Sequence, residues 1–63
     1  MINLKKARED KGLSQTALAE AVGVIRQTIS NIECGINRPS TELAIKIGDV
    51  LEIDWTQFFV KDE

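Results

Sequence analysis

The chain has 63 residues, of which 43% are hydrophobic and 29% charged, and its net charge is −2. A chain this short is expected to form one domain with a single small core, which excludes a deep catalytic cleft or a second domain. Its apolar content is typical of a globular domain and not of a disordered chain. No apolar run approaches the roughly 20 residues of a membrane-spanning helix.

The residue types needed for most catalytic and metal sites are missing. The sequence contains no His and one Cys. The usual zinc sites need four Cys or His ligands, and Ser-His or Cys-His nucleophilic pairs need a His. No glycine-rich phosphate loop is present either. We therefore expect no enzyme activity, no metal, no cofactor and no small-molecule ligand.

The same sequence features predict a cytoplasmic protein. No apolar segment of the kind found in signal peptides follows Lys5 and Lys6. One cysteine cannot form an internal disulfide, which fits a reducing compartment.

The charges are distributed unevenly along the chain. Residues 1–38 contain six Lys or Arg and four Asp or Glu, for a net charge of +2, whereas residues 39–63 contain two and six, for −4. The N-terminal part is therefore the only one that would attract a polyanion.

The hydrophobic pattern predicts an all-α domain. Five segments have helical spacing, at about 3–11, 15–22, about 26–34, 41–51 and 55–59. Asn3, Ser14 and Ser40 stand where helix N-caps are expected, and Asp54 with Gln57 has the spacing of a capping box. Gly12 and Gly23 follow the first two segments, as glycines commonly follow helices.

The second and third segments are joined by only three residues, 23–25. Two helices joined by so short a turn with a glycine match the helix-turn-helix unit. Ala19 is small where the helices would cross, and Ile29 would face back into the angle between them. Val24 and Ile32 complete the apolar corner.

The third segment has an unusual polar face. Arg26, Gln27, Ser30 and Asn31 share that face, opposite Ile29. A solvated helix face normally carries Glu and Lys of mixed sign, but these four residues include no carboxylate. The face is therefore suited to hydrogen bonding with a ligand that presents donors and acceptors.

These motifs closely resemble the Cro/repressor-type (XRE-like) helix-turn-helix domains of phages and bacteria. The similarity covers nearly the whole chain, and it includes the stretches LSQ, VGV, RQTISNIE and RPS. The resemblance implies a compact five-helix, lambda-repressor-like fold over residues 1–63, with the helix-turn-helix at about 15–34. It also implies a transcriptional regulator whose third helix enters the major groove of double-stranded DNA. Most members act as dimers on near-palindromic operators.

The resemblance implies DNA-binding roles for seven residues: Gln15, Arg26, Gln27, Thr28, Ser30, Asn31 and Arg38. Gln27 matches the family's main base-reading glutamine, whose amide can pair with adenine, and Arg26 could reach a guanine or a phosphate. Gln15 and Arg38 match positions close to the DNA backbone. Lys5, Lys6 and Lys11 are weaker candidates, suited only to long-range attraction.

The resemblance also implies an internal ion pair between Arg8 and Glu33, which would tie the first helix to the end of the third. Two residues depart from the family pattern. Ile25 stands at an N-cap where Ser or Thr is usual. Either the domain tolerates the loss of about 1 kcal/mol from the missing cap, which is the favoured interpretation, or Ile25 contacts a thymine methyl. Cys34 is expected to be an inert thiol, with a redox switch as the alternative.

The C-terminal half is the expected dimer interface, because residues 1–38 would face DNA. Val50, Ile53 and Val60 with nearby aromatic residues could supply an apolar patch. Trp55, Phe58 and Phe59 are expected in the core or the interface. Gly48 inside the fourth helix is explained either by a close helix approach, such as one across a dimer, or by drift.

A dimeric repressor that covers its operator is the function that these features favour. Activation by contact with polymerase from a neighbouring site is equally compatible with the sequence. The alternative is an antitoxin-like or other protein-interaction module that binds DNA secondarily. Such antitoxins usually carry an additional tail, and the sequence has almost no residues after the fifth segment.

Overall fold

A computed structural model of the chain describes residues 3–59. Four α-helices, α1 (Leu4–Asp10), α2 (Gln15–Val22), α3 (Arg26–Glu33) and α4 (Thr41–Leu51), are followed by a 3₁₀ helix, Trp55–Phe59. The predicted all-α fold is confirmed, with the fifth helix being a 3₁₀ helix. None of the helices within residues 3–59 combines the length and the apolar run needed to cross a membrane.

Side chains cap three of the four α-helices as the sequence predicts. Asn3 accepts a hydrogen bond from the N–H of Lys6. Ser14 and Ser40 accept from the N–H groups of Ala17 and Leu43. Each bond satisfies a backbone donor that has no partner within its own helix, which fixes where the helix begins.

The core lies where the four α-helices and the 3₁₀ helix meet. α2 packs against both α3 and α4, and the 3₁₀ helix packs against α4. Ten apolar side chains are buried there: Leu4, Leu18, Ala19, Val22, Ile29, Ile32, Ala44, Ile47, Leu51 and Phe58. Burial of one stripe from each helix leaves the polar face of α3 outside the core.

Gly48 allows a close approach within the chain itself. A Cβ on this buried glycine would lie 2.9 Å from both the carbonyl oxygen of Ile53 and the Cβ of Trp55. The turn after α4 therefore folds back against the helix at this position. A close approach to α4 therefore explains Gly48, as one of the two interpretations predicted, but the approaching residues belong to the same chain.

Two local features shape the link between α4 and the 3₁₀ helix. Glu52 ends α4 in the left-handed conformation, with φ +57°, a position that glycine usually occupies. The Asp54 carboxylate accepts hydrogen bonds from the N–H and Oγ1 of Thr56, at 3.0 and 2.6 Å. Asp54 therefore caps the segment, as predicted. The predicted capping box was wrong in one respect, because the partner of the carboxylate is Thr56 and not Gln57.

Candidate nucleic-acid interface

The angle between α2 and α3 is set by the short turn at Gly23. This residue has φ +79°, a left-handed conformation that glycine adopts without a steric penalty. The N–H of Val24 then donates to the carbonyl of Ala19 at 2.9 Å and closes the end of α2. Ile29 is fully buried in the angle, as predicted. The turn and this packing hold α3 as a rigid element on the surface of the domain.

The outward face of α3 is polar. Arg26 and Gln27 are exposed, whereas Thr28, Ser30 and Asn31 are half-buried. The Gln27 amide nitrogen donates to the side-chain oxygen of Asn31 at 2.9 Å, one helical turn away. This bond orients the two amides relative to each other. The Gln27 Oε1 atom takes part in no hydrogen bond among residues 3–59, so that it remains available as an acceptor.

An ion pair between Arg8 and Glu33 lies directly behind this face. The Nε atom of Arg8 donates to Oε2 of Glu33 at 2.7 Å, and Nη2 donates to Oε1 at 3.3 Å. The two side chains are only 9% and 5% exposed. Nη1 of Arg8 also donates to the carbonyl of Leu13 at 2.7 Å. The pair therefore ties α1 to the end of α3, as the resemblance implies, and Arg8 also binds the loop before α2.

Gln15 extends this ion pair to the surface, which the sequence did not predict. Its Nε2 donates to Oε1 of Glu33 at 3.1 Å. Its Oε1 accepts from Nη1 of Arg26 at 3.0 Å. The only sequence signal for this contact is positional, because Gln15 and Arg26 are the first residues of two helices that a short turn brings together. We call the chain Arg8–Glu33–Gln15–Arg26 the side-chain relay.

The environment of Glu33 predicts acid-sensitive stability. Burial raises the pKa of Glu33, but hydrogen bonds from Arg8 and Gln15 and the charges of Arg8 and Lys5 lower the pKa by more. A carboxyl whose pKa is lower in the folded state stabilises the fold above its unfolded pKa and loses that contribution as the pH falls through its folded pKa. We expect the free energy of unfolding to decrease as the pH falls below about 4.5, the ordinary pKa of a glutamate.

The comparison of Glu33→Gln with Glu52→Gln in urea titrations at several pH values isolates this effect. Glu52 is an exposed carboxylate whose pKa Lys11 lowers through a hydrogen bond. The slope of stability against pH should flatten markedly in Glu33→Gln and little in Glu52→Gln. Equal slopes in Glu33→Gln and the wild type would contradict the assignment.

The remaining predicted DNA contacts are more scattered. Arg38 is exposed in the loop between α3 and α4. Lys6 pairs with Asp10 at 3.6 Å, and Lys11 pairs with Glu52. Lys5 is exposed. Two of the three lysines considered for long-range attraction are thus partly neutralised by neighbouring carboxylates.

The two departures from the family pattern both lie at the ends of α3. Ile25 is the N-cap without a side-chain cap bond and is 70% exposed. Cys34 is the exposed C-cap residue. Neither residue therefore contributes to the core, and the role of each stays a prediction.

The residues predicted for an interface between two copies only partly form an exposed patch. Val50, Ile53 and Trp55 are partly buried against the core, and Phe58 belongs to it. Phe59 is 37% exposed and forms a T-shaped pair with Trp55, with ring centroids 6.3 Å apart. Val60 lies outside the described residues.

Comparisons with known proteins agree with this geometry. The sequence model of the helix-turn-helix family matches residues 4–58. The chain is 43% identical over 56 residues to YqaF of Bacillus subtilis strain 168, described as an uncharacterized helix-turn-helix transcriptional regulator; the match covers 89% of this chain and 74% of YqaF.

Two solved structures have the same fold. The N-terminal DNA-binding domain of SinR from Bacillus subtilis is 30% identical with a TM-score of 0.81, and the match covers 95% of this chain and 88% of that one. A chain of the SinR–SinI protein complex is 31% identical with a TM-score of 0.82, and the match covers 97% of this chain but only 62% of that one. The chain therefore belongs to the XRE-type helix-turn-helix family of transcriptional regulators.

Proposed function

We propose that the protein is a sequence-specific, dimeric repressor that reads a near-palindromic operator with α3. α3 enters the major groove of double-stranded DNA. Seven residues provide the contacts: Gln15, Arg26, Gln27, Thr28, Ser30, Asn31 and Arg38. The protein acts in the cytoplasm and represses by covering the operator and excluding polymerase.

The observation that carries the proposal is the outward face of α3. This face presents amides, hydroxyls and one guanidinium, with no exposed carboxylate among them. Glu33, the one acidic residue of α3, is buried against Arg8. Amides and guanidinium groups match the donors and acceptors that bases display in the major groove. The net charge of +2 in residues 1–38 and the SinR DNA-binding domain among the similar structures support the same ligand.

The size of the domain supports a dimer. Its longest dimension is 32 Å and its other two are 21 and 19 Å. Two copies side by side can place their recognition helices about 34 Å apart, the length of one DNA turn. The C-terminal half, with its net charge of −4, would face away from the DNA and is available for contact between the copies.

The salt dependence of duplex binding tests the DNA ligand. A protein that contacts several phosphates should lose affinity by about 10³-fold or more between roughly 50 and 200 mM salt. Fluorescence anisotropy with a labelled duplex measures this directly. No duplex binding at the lowest salt would contradict the proposal and favour the alternative of an antitoxin-like or other protein-interaction module; a chain of a protein–protein complex, SinR–SinI, is among the similar structures.

Gln27→Ala should relax the preference at a single base pair of the operator by about 1–3 kcal/mol. The Gln27 amide is exposed, and its hydrogen bond to Asn31 fixes the directions of its donor and acceptor atoms. Binding to the operator and to its single-base variants measures the preference. Uniform weakening on every sequence would show that Gln27 contacts the backbone only.

A further inference from the structure

A groove, which we call the α2–α4 groove, runs along the surface of the domain between these two helices. Its wider part, of about 450 Å³, lies between the last turn of α2 and the C-terminal half of α4. Its narrower part, of about 220 Å³, extends to the turn after α2 and to Ser40, the N-cap of α4. Val22 and Lys46 line both parts, so the groove is continuous along α4 from Ser40 to Val50. That length is about 15 Å, or nearly three turns of a helix.

The floor of the groove is apolar. Val24, Leu43 and Val50 are only partly buried against the core, and each lines the groove. Ala21 lies at the edge of the wider part and is exposed, and its methyl group is too small to cover the floor. An apolar floor of this length between two helices is suited to the apolar stripe of a third helix, whose side chains at positions i, i+4 and i+7 share one face.

The rim of the groove is acidic. Glu20 and Asp49 are exposed and form no ion pair among residues 3–59. Lys46, the basic residue of the rim, already pairs with Glu42 at 3.6 Å. Three carboxylates and one ammonium group give the groove a net charge of −2. A ligand with a positive charge beside its apolar surface is therefore complementary to the groove.

The ends of both helices add to this negative charge. The last turns of α2 and α4 contain no basic residue, but they contain Glu20 and Asp49. Carbonyl groups at the C-terminus of a helix carry a partial negative charge, which a cation stabilises and a carboxylate does not. The carbonyl oxygens of Ala21 and Val22 accept no hydrogen bond from the backbone among residues 3–59. A basic side chain from a ligand would supply the cation that this end of α2 lacks.

We propose that the α2–α4 groove docks a helix of a partner protein that carries Lys or Arg beside an apolar stripe. The apolar stripe covers Val24, Leu43 and Val50, and the basic side chain lies against Glu20 and Asp49. None of the seven residues proposed to contact DNA lines the groove, so the inference does not rest on the proposed function. It adds a second binding surface, at which a partner protein can modulate the regulator.

Selection of peptides from a random display library by the purified protein tests the proposal. Peptides of about 15 residues are long enough to form a helix over the whole groove. The enriched peptides should contain Lys or Arg next to apolar residues spaced at i, i+4 and i+7. Fluorescence anisotropy of the labelled peptides then measures their affinities for the wild type and for variants of the groove. Circular dichroism verifies that each variant is folded.

The first variant removes the charge of the rim. Glu20→Gln with Asp49→Asn should weaken the binding of the enriched peptides by about five-fold or more, because both carboxylates face the basic side chain. Glu9→Gln with Asp10→Asn is the matched control, since it makes the same change in net charge at exposed residues of α1 outside the groove. The control should change the affinity by no more than about two-fold.

The second variant fills the groove. Ala21→Arg places a long side chain over the floor and supplies a cation from the chain itself, so it should abolish peptide binding. Arg is a good helix former, and the variant should therefore fold. Thr16→Arg introduces the same side chain at an exposed position of α2 that does not line the groove, and it should bind the peptides as the wild type does.

Three results would overturn the inference. The library could yield no enriched peptide, or peptides without a basic residue. The enriched peptides could bind Glu20→Gln/Asp49→Asn or Ala21→Arg as tightly as they bind the wild type, which would place their site elsewhere. Sedimentation could show that these variants lose self-association, which would identify a second copy of the chain as the occupant. None of these results bears on DNA reading by α3, because binding to duplex DNA is measured separately.

Discussion

Replacing Glu33 by alanine is expected to lower the free energy of unfolding by about 3–5 kcal/mol. The substitution leaves the Arg8 guanidinium, 9% exposed, without its carboxylate and removes the acceptor of Gln15. A core this small supplies only about that much stability, so that much of the protein should be unfolded at room temperature. Urea titration followed by circular dichroism measures the change.

Asp10→Ala is the matched control for Glu33→Ala. It breaks the pair with Lys6, which joins side chains that are 67% and 72% exposed. Solvent-exposed pairs contribute about 1 kcal/mol or less, so Asp10→Ala should leave the titration midpoint nearly unchanged. Similar losses in the two variants would show that burial of the Arg8–Glu33 pair does not determine its importance.

Phe58→Ala is expected to destabilise the protein by a comparable amount, about 3–5 kcal/mol. Phe58 is 1% exposed and is among the largest fully buried side chains of the domain. Its ring anchors the 3₁₀ helix to the core, and its removal would leave a cavity there. Thermal unfolding of the variant should begin at a markedly lower temperature than that of the wild type.

The neighbouring Phe59 provides the comparison. This ring is 37% exposed, and its edge contact with Trp55 is worth at most about 1.5 kcal/mol. Phe59→Ala should therefore be much less destabilising than Phe58→Ala. If the two variants unfold at the same temperature, the 3₁₀ helix does not pack as described.

Most of the fold could be predicted because its signals are local. The side-chain caps at Ser14 and Ser40 each depend on one hydroxyl oxygen and on a backbone N–H three residues further on. The corner between α2 and α3 needs a small residue at Ala19 and an apolar one at Ile29, both visible in the sequence. Such features require no knowledge of distant parts of the chain.

The details that were not predicted depend on contacts between distant residues. Glu52 adopts a left-handed conformation that its residue type does not indicate, and its carboxylate pairs with Lys11, 41 residues earlier. Gly48 is explained only by the backbone of Ile53 and the side chain of Trp55 folding against it. Hydrophobic periodicity and capping residues contain no information about these contacts between distant residues.

The candidate site was likewise predictable only where its features depend on local sequence. The composition of the α3 face predicted which residues are presented, and the resemblance predicted the Arg8–Glu33 pair. The role of Gln15 as a bridge was missed, since the direction of an amide follows from the acceptor it meets in three dimensions. The directions in which donor and acceptor atoms point within the site could therefore be determined only from the structure.

Selection of bound duplexes from a random DNA library by the purified wild-type protein tests the central claim most directly. Enrichment of a palindrome with half-sites about one DNA turn apart is the expected result, because two copies of this domain would place their recognition helices at that spacing. Enrichment of a lone half-site would retain base reading and exclude a tight dimer. The absence of any enriched sequence at low salt would contradict DNA reading by α3.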